Sequence, residues 1–129
     1  MTLKAAPGFI KYPDHPMELV PLQGVYVVEF DGVEIARSDT AVSLKESTYP
    51  ERIYFPLSSI KEDYLAPTDT ETYCPFKGTA SYWSLTLEGQ VLKDALWGYN
   101  EPYQECASIQ NYGCFYTEMG PFQVREIKT

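Results

Sequence analysis

The chain has 129 residues, 44% of them hydrophobic and 15% aromatic, enough for one buried core and for one domain as the expectation. Ten Lys and Arg against eighteen Asp and Glu give a net charge of -8, a surface that repels a phosphate backbone. Nucleic acid is therefore not an expected partner, although a local cationic pocket can still hold one small anion. Met1 to Pro16 lacks the unbroken apolar core of a signal peptide, and no later stretch is long and apolar enough to span a bilayer. A cytoplasmic location without a membrane partner is expected. Three cysteines and one histidine make neither a disulfide framework nor a metal site, so no metal or other cofactor is expected.

Residues 1–23 hold four of the ten prolines and no periodicity, which predicts an extended arm lying over a single β domain at 24–129. His15 falls in this arm, bracketed by Pro13 and Pro16, and reads as a solvated loop residue rather than a ligand or a base. Val25–Phe30 and Val33–Arg37 flank Asp31-Gly32, a dipeptide suited to a type I′ turn, and predict a β-hairpin. Ala41–Glu46 reads as the next strand, leaving Glu46 at its end, where side chains often face a cleft.

Arg52–Phe55 is a short strand closed by Pro56. Ser59-Ile60-Lys61-Glu62 then presents a capping box, which predicts one short helix with Ile60 and Tyr64 on the same face. Residues 66–71 are polar and read as a loop leading to Cys74. From Thr79 to Leu87 the alternation puts Trp83, Leu85 and Leu87 on one wall, toward a core, and Ala80, Tyr82 and Ser84 on the other, toward a pocket. Val91–Tyr99 completes a second hairpin, 103–109 reads as a helical turn, and 112–116 and 122–127 are the last strands. Cys106 and Cys114 are most simply small buried hydrophobes. About eight short strands separated by turns predict an all-β, mainly antiparallel, barrel-like or sandwich domain with one or two short helices.

The stretch with most chemistry is Cys74-Pro75-Phe76-Lys77-Gly78. Pro75 fixes φ and Gly78 permits one that other residues resist, so a sharp corner should hold Cys74 and Lys77 together. A neighbouring ammonium favours the thiolate, which makes Cys74 a candidate nucleophile, although the pattern carries no histidine base beside it. Lys77 next to Gly78 is also a candidate point charge for a phosphate or carboxylate. Glu46 is the favoured carboxylate for base work or for pairing with Lys77. The alternative reading is structural, with Cys74 filling a small space and Lys77 in a buried ion pair. Tyr54, Tyr82, Trp97 and Tyr99 lie on predicted strands, either as core or as the lining of a ligand pocket.

Taken together, Gly32-x-x-Ile35-Ala36-x-Ser38, Glu46, Tyr54-Phe55-Pro56, Cys74-Pro75-Phe76-Lys77-Gly78-x-Ala80-x-Tyr82, Trp97-Gly98-Tyr99-x-x-Pro102 and Phe115-Tyr116 resemble the family known as domain of unknown function 427, over about residues 15–127. The resemblance implies a compact antiparallel β domain of the tent-like kind found in the Mss4-like group. The paired cysteines with which zinc-binding members of that group hold metal are missing here, so metal is not carried over. A nucleotidyltransferase heading sometimes attached to the family implies an enzyme, but the spaced carboxylates that hold magnesium in such enzymes are not seen. What the resemblance implies as a shared pocket is Glu46, Tyr54, Cys74, Lys77, Tyr82, Trp97 and Tyr99. Three readings follow: a domain binding a small polar or anionic ligand, an enzyme with Cys74 as nucleophile or with a nucleotidyltransferase-like activity, or a protein-interaction module.

Overall fold

A computed structural model of the chain describes residues 2–128. The predicted arm is not featureless: it carries helix α1 (Pro7–Lys11), opened by a proline where the missing N–H has no partner to lose, and strand β1 (Met17–Pro21). The strands that follow are β2 (Val25–Phe30), β3 (Val33–Ser38), β4 (Val42–Glu46), β5 (Arg52–Pro56), β6 (Leu65–Cys74), β7 (Gly78–Leu87), β8 (Gln90–Gly98), β9 (Tyr112–Phe115) and β10 (Phe122–Ile127). They form a seven-stranded sheet in the order β1-β4-β5-β9-β8-β7-β6 and a three-stranded sheet in the order β10-β2-β3. Every strand pair is antiparallel, and the sheets do not close into a barrel.

The Asp31-Gly32 hairpin forms as its turn chemistry dictates, with φ of 49° and 82° at the two central residues. Two other expectations are corrected. The capping-box segment forms two single-turn 3-10 segments, Leu57–Ser59 and Glu62–Tyr64, in place of a helix. Ser59 donates its hydroxyl back to the Pro56 carbonyl at 2.7 Å instead of capping forward, and Ile60 bridges Ala36 of β3 in extended conformation. Residues 66–71, expected as a loop, belong to β6, an edge strand with a register shift between Pro67 and Glu71. Their polar character is met in the sheet itself, since Thr68 and Thr70 donate to the carboxylate of Asp94 on β8 at 2.6 and 2.7 Å. An edge tolerates such residues, and a proline, where a central strand would not.

Each face of the seven-stranded sheet carries a hydrophobic cluster, and the period of two sorts its side chains between them. One face joins the three-stranded sheet in a core that includes Val28, Phe30, Ile35, Phe55, Leu85, Leu96 and Phe115. The opposite face carries a second cluster of Val42, Leu44, Tyr54, Ala80, Tyr99, Cys106, Ile109 and Cys114. Neighbours in sequence thus part company: Tyr54 and Phe55, or Cys114 and Phe115, lie in different layers. Along β7 the expected division holds, with Leu85 and Leu87 in the first cluster and Ala80 and Tyr82 at the second.

Candidate functional site

The second cluster floors a cavity of about 420 Å³. β4 contributes Leu44 and Glu46 and β5 contributes Arg52 and Tyr54, each pair two residues apart and so on one face. The register aligns them, Leu44 opposite Arg52 and Val42 opposite Tyr54. Trp97 and Tyr99 arrive by the same alternation at the end of β8, where Trp97 stands opposite Cys114. Gly98 lies between them because the Tyr112 carbonyl fills the space a Cβ would need.

The Cys74–Gly78 corner is the β6–β7 hairpin turn, with Gly78 at φ 121° and the Lys77 amide donating to the Cys74 carbonyl at 3.3 Å. Its other carbonyls are held from outside. Pro75 accepts from the Gly8 amide at 2.9 Å, Phe76 from the Cys106 thiol at 3.7 Å, and Lys77 from the Tyr103 amide at 3.0 Å. With its backbone tied down in this way the turn presents Cys74, Phe76 and Lys77 to the cavity.

There Lys77 Nζ donates to Glu46 Oε1 at 2.5 Å, while the other oxygen of the same carboxylate, Oε2, bonds His15 Nε2 at 2.8 Å. The side chains of Lys77 and Glu46 are 12% and 11% exposed. Burial, the largest influence on the Glu46 carboxyl, pushes its pKa up. The hydrogen bonds and charge of Lys77 and His15 outweigh it and hold the group below the ordinary carboxylate value. Lys77 thus makes the pairing with Glu46, one of its two expected roles. His15 is not the solvated loop residue expected. Its ring lies flat on Phe76, with centroids 3.8 Å apart and planes 13° from parallel, and Phe9 of α1 meets Phe76 edge-on at 4.9 Å. The arm therefore places a histidine in the wall that also holds Cys74, supplying the base type that is absent beside Cys74 in sequence.

Another part of the lining is aromatic and cationic. The Arg52 guanidinium lies 5.3 Å from the centre of the Trp97 ring and 5.4 Å from that of Tyr116, and it donates to Glu118 at 2.8 Å. Trp97 is fixed in turn, its indole N–H donating to the Tyr54 hydroxyl at 3.1 Å. Burial pushes the Tyr54 and Tyr99 phenols well above their ordinary range, so both stay neutral hydrogen-bonding groups.

Of the residues singled out in the sequence, the structure brings Glu46, Tyr54, Cys74, Lys77, Trp97 and Tyr99 to this one cavity. Tyr82 stays apart, its hydroxyl on Thr72 at 2.9 Å beside the wall rather than in it. Sequence reasoning missed Arg52, His15 and Phe76. Arg52 carried a signal, standing two residues before Tyr54 on one strand; His15 carried none, because only the path of the arm brings it here. Burial pushes the thiols of Cys106 and Cys114 up to about 12, and Cys74 is the half-buried one of the three cysteines. Among the described residues no three His, Cys, Asp or Glu side chains gather closely enough to hold a metal ion. No helix among them is long and apolar enough to cross a membrane.

A family model described as Domain of unknown function (DUF427) matches residues 18–127. No curated protein matches the chain.

Proposed function

The chain belongs to the DUF427 family, and from its site we propose that it binds a small polar or anionic metabolite in the cavity between the Cys74–Gly78 turn and the β4–β5 strands. One observation carries this reading: Glu46 ties Lys77 and His15 together in the lining of a cavity that Arg52, Trp97 and Tyr99 also line. Ion pairs that only staple a fold are as easily closed over by side chains. These line an opening of about 420 Å³, within the size range of small-molecule sites. Aromatic surfaces suit the body of a flat ligand, and the polar groups suit its charged end. A small-molecule ligand is favoured over nucleic acid, since the net charge of -8 opposes a polyanion but not a single anionic group.

Thermal unfolding in the presence of monocarboxylates, dicarboxylates, phosphate esters and neutral polyols tests the reading. At ten times its dissociation constant a true ligand stabilises by about 1.4 kcal/mol, a rise of about 4 °C in Tm for a chain of this size. The rise should shrink in Lys77→Met. A panel without any stabiliser overturns the proposal.

A second reading is favoured by the placing of Cys74, which shares the cavity with His15 while the other two cysteines are buried. In this reading the thiol is the nucleophile toward whatever the cavity holds, with His15, oriented by Glu46, as its proton acceptor. Loss of turnover or of covalent labelling in both Cys74→Ser and His15→Gln would support it. Labelling that is indifferent to His15 would sink it.

A further inference from the structure

The two cations facing the cavity are compensated in different ways. Lys77 is paired with a carboxylate that is itself buried and receives a second hydrogen bond from His15. Arg52 is paired through a single N–H with Glu118, whose side chain is 49% exposed on the one-turn segment Thr117–Met119. The Arg52 side chain is only 20% exposed, and its other N–H groups have no acceptor among the described residues. Its place beside Trp97 and Tyr116, 5.3 and 5.4 Å from the ring centres, restricts the guanidinium. A preoriented planar fork with donors to spare, on the wall of a cavity, is the arrangement that receives the two oxygens of a carboxylate or phosphate.

We propose that Arg52 is the anchor for the oxyanion of a flat, ring-bearing ligand, and that Glu118 occupies this anchor when the ligand is absent. The proposal rests on the cavity being a ligand site and adds which group binds the charge and which class of ligand fits. Glu118 is a carboxylate already seated on the fork, and its exposure lets it swing into solvent at little cost. Glu46, held by two donors, has no such freedom. The ring of the ligand would lie along Trp97 and Tyr99, and Tyr49, 68% exposed at the rim, would be free to close over it.

Calorimetric titration of the full chain in low-salt buffer with benzoate, phenyl phosphate and benzamide tests this, since the three share a ring and differ in the charged end. Expected are binding of at least one of the two anions, about tenfold or more tighter than benzamide, and a loss of about tenfold in Arg52→Met with benzamide unaffected. Which anion binds tighter identifies the kind of oxyanion. Glu118→Gln, a change at an exposed position that leaves the fold intact, should tighten the anion severalfold by removing its competitor. An unchanged or weaker affinity in Glu118→Gln overturns the placeholder role. Anion binding that survives Arg52→Met but is lost in Lys77→Met overturns the anchor and leaves the cavity reading standing. The same division holds if all three probes fail while other small molecules stabilise the protein; if nothing stabilises it, both readings fall.

Discussion

The imidazole of His15 and the ring of Phe76, 61 residues apart in the chain, are stacked 3.8 Å centre to centre. The stack joins the N-terminal arm to the hairpin turn and aims His15 Nε2 at Glu46. Phe76→Leu keeps the volume roughly and removes the flat surface. It should cost about 1 kcal/mol, the worth of an aromatic pair beyond its buried area. The arm should loosen before the domain does, so hydrogen exchange at the Gly8 amide, which bonds Pro75, should speed up several-fold while exchange in β7 and β8 stays unchanged.

Replacing Glu46 with Gln leaves the Lys77 ammonium in its nearly buried place without a counter-charge. A loss of about 3 kcal/mol is expected, the low end for breaking a buried pair because the cavity lets water approach. In urea unfolding the double variant Glu46→Gln/Lys77→Met should be less destabilised than the sum of the two single variants. Simple additivity would mean that the pair is not coupled.

The same carboxyl sets an acid dependence. Its folded pKa lies below the ordinary value, so between the two values the unfolded chain binds the proton and the folded one does not. Its contribution is complete above the unfolded value of about 4.3 and is lost as pH falls through the folded value. Stability measured from pH 6 downward should fall less steeply in Glu46→Gln than in the parent protein over that window.

Cysteine chemistry should be confined to one position. Cys106 and Cys114 are buried, with thiols pushed up to about 12, whereas Cys74 lines the cavity. Iodoacetamide on the native protein should give a single adduct at Cys74 by mass spectrometry, and the remaining two only after unfolding. Native labelling of Cys106 or Cys114 would contradict the packing described.

Gly98 tests how closely β8 and β9 approach. A Cβ there runs into the Tyr112 carbonyl, which is backbone and cannot swing aside. Gly98→Ala should therefore cost about 2 to 3 kcal/mol as the strands are forced apart. Because Trp97 and Tyr99 flank it, the tryptophan emission should shift as well.

Where local chemistry decides structure, the chain is readable without coordinates. Asp31-Gly32 specifies its hairpin, Pro75 and Gly78 specify their corner, and the alternation through Trp97 and Tyr99 points both rings toward the cavity. The errors arise where distant contacts overrule local preference. Ser59 and Glu62 have the spacing of a cap, yet β3 captures Ile60 in extended form and no helix follows. Thr68 and Thr70 look like loop residues because their partner, Asp94, lies on another strand. His15 is the clearest case, since nothing between Pro13 and Pro16 records that Glu46 and Phe76 will be its neighbours. The pairing of Glu46 with Lys77 is legible from residue type and strand position; the pairing of Arg52 with Glu118 depends on the path of a segment 66 residues later.

Since the two faces of the large sheet belong to separate clusters, the residues that shape the hollow are largely distinct from those that fasten the sheets together. Tyr54 and Trp97 belong to the face that holds the hollow, whereas Phe55 and Leu96, one step along the same strands, and Phe115 on β9 belong to the joint. A substitution that reshapes the hollow therefore acts in a different layer from one that loosens the joint.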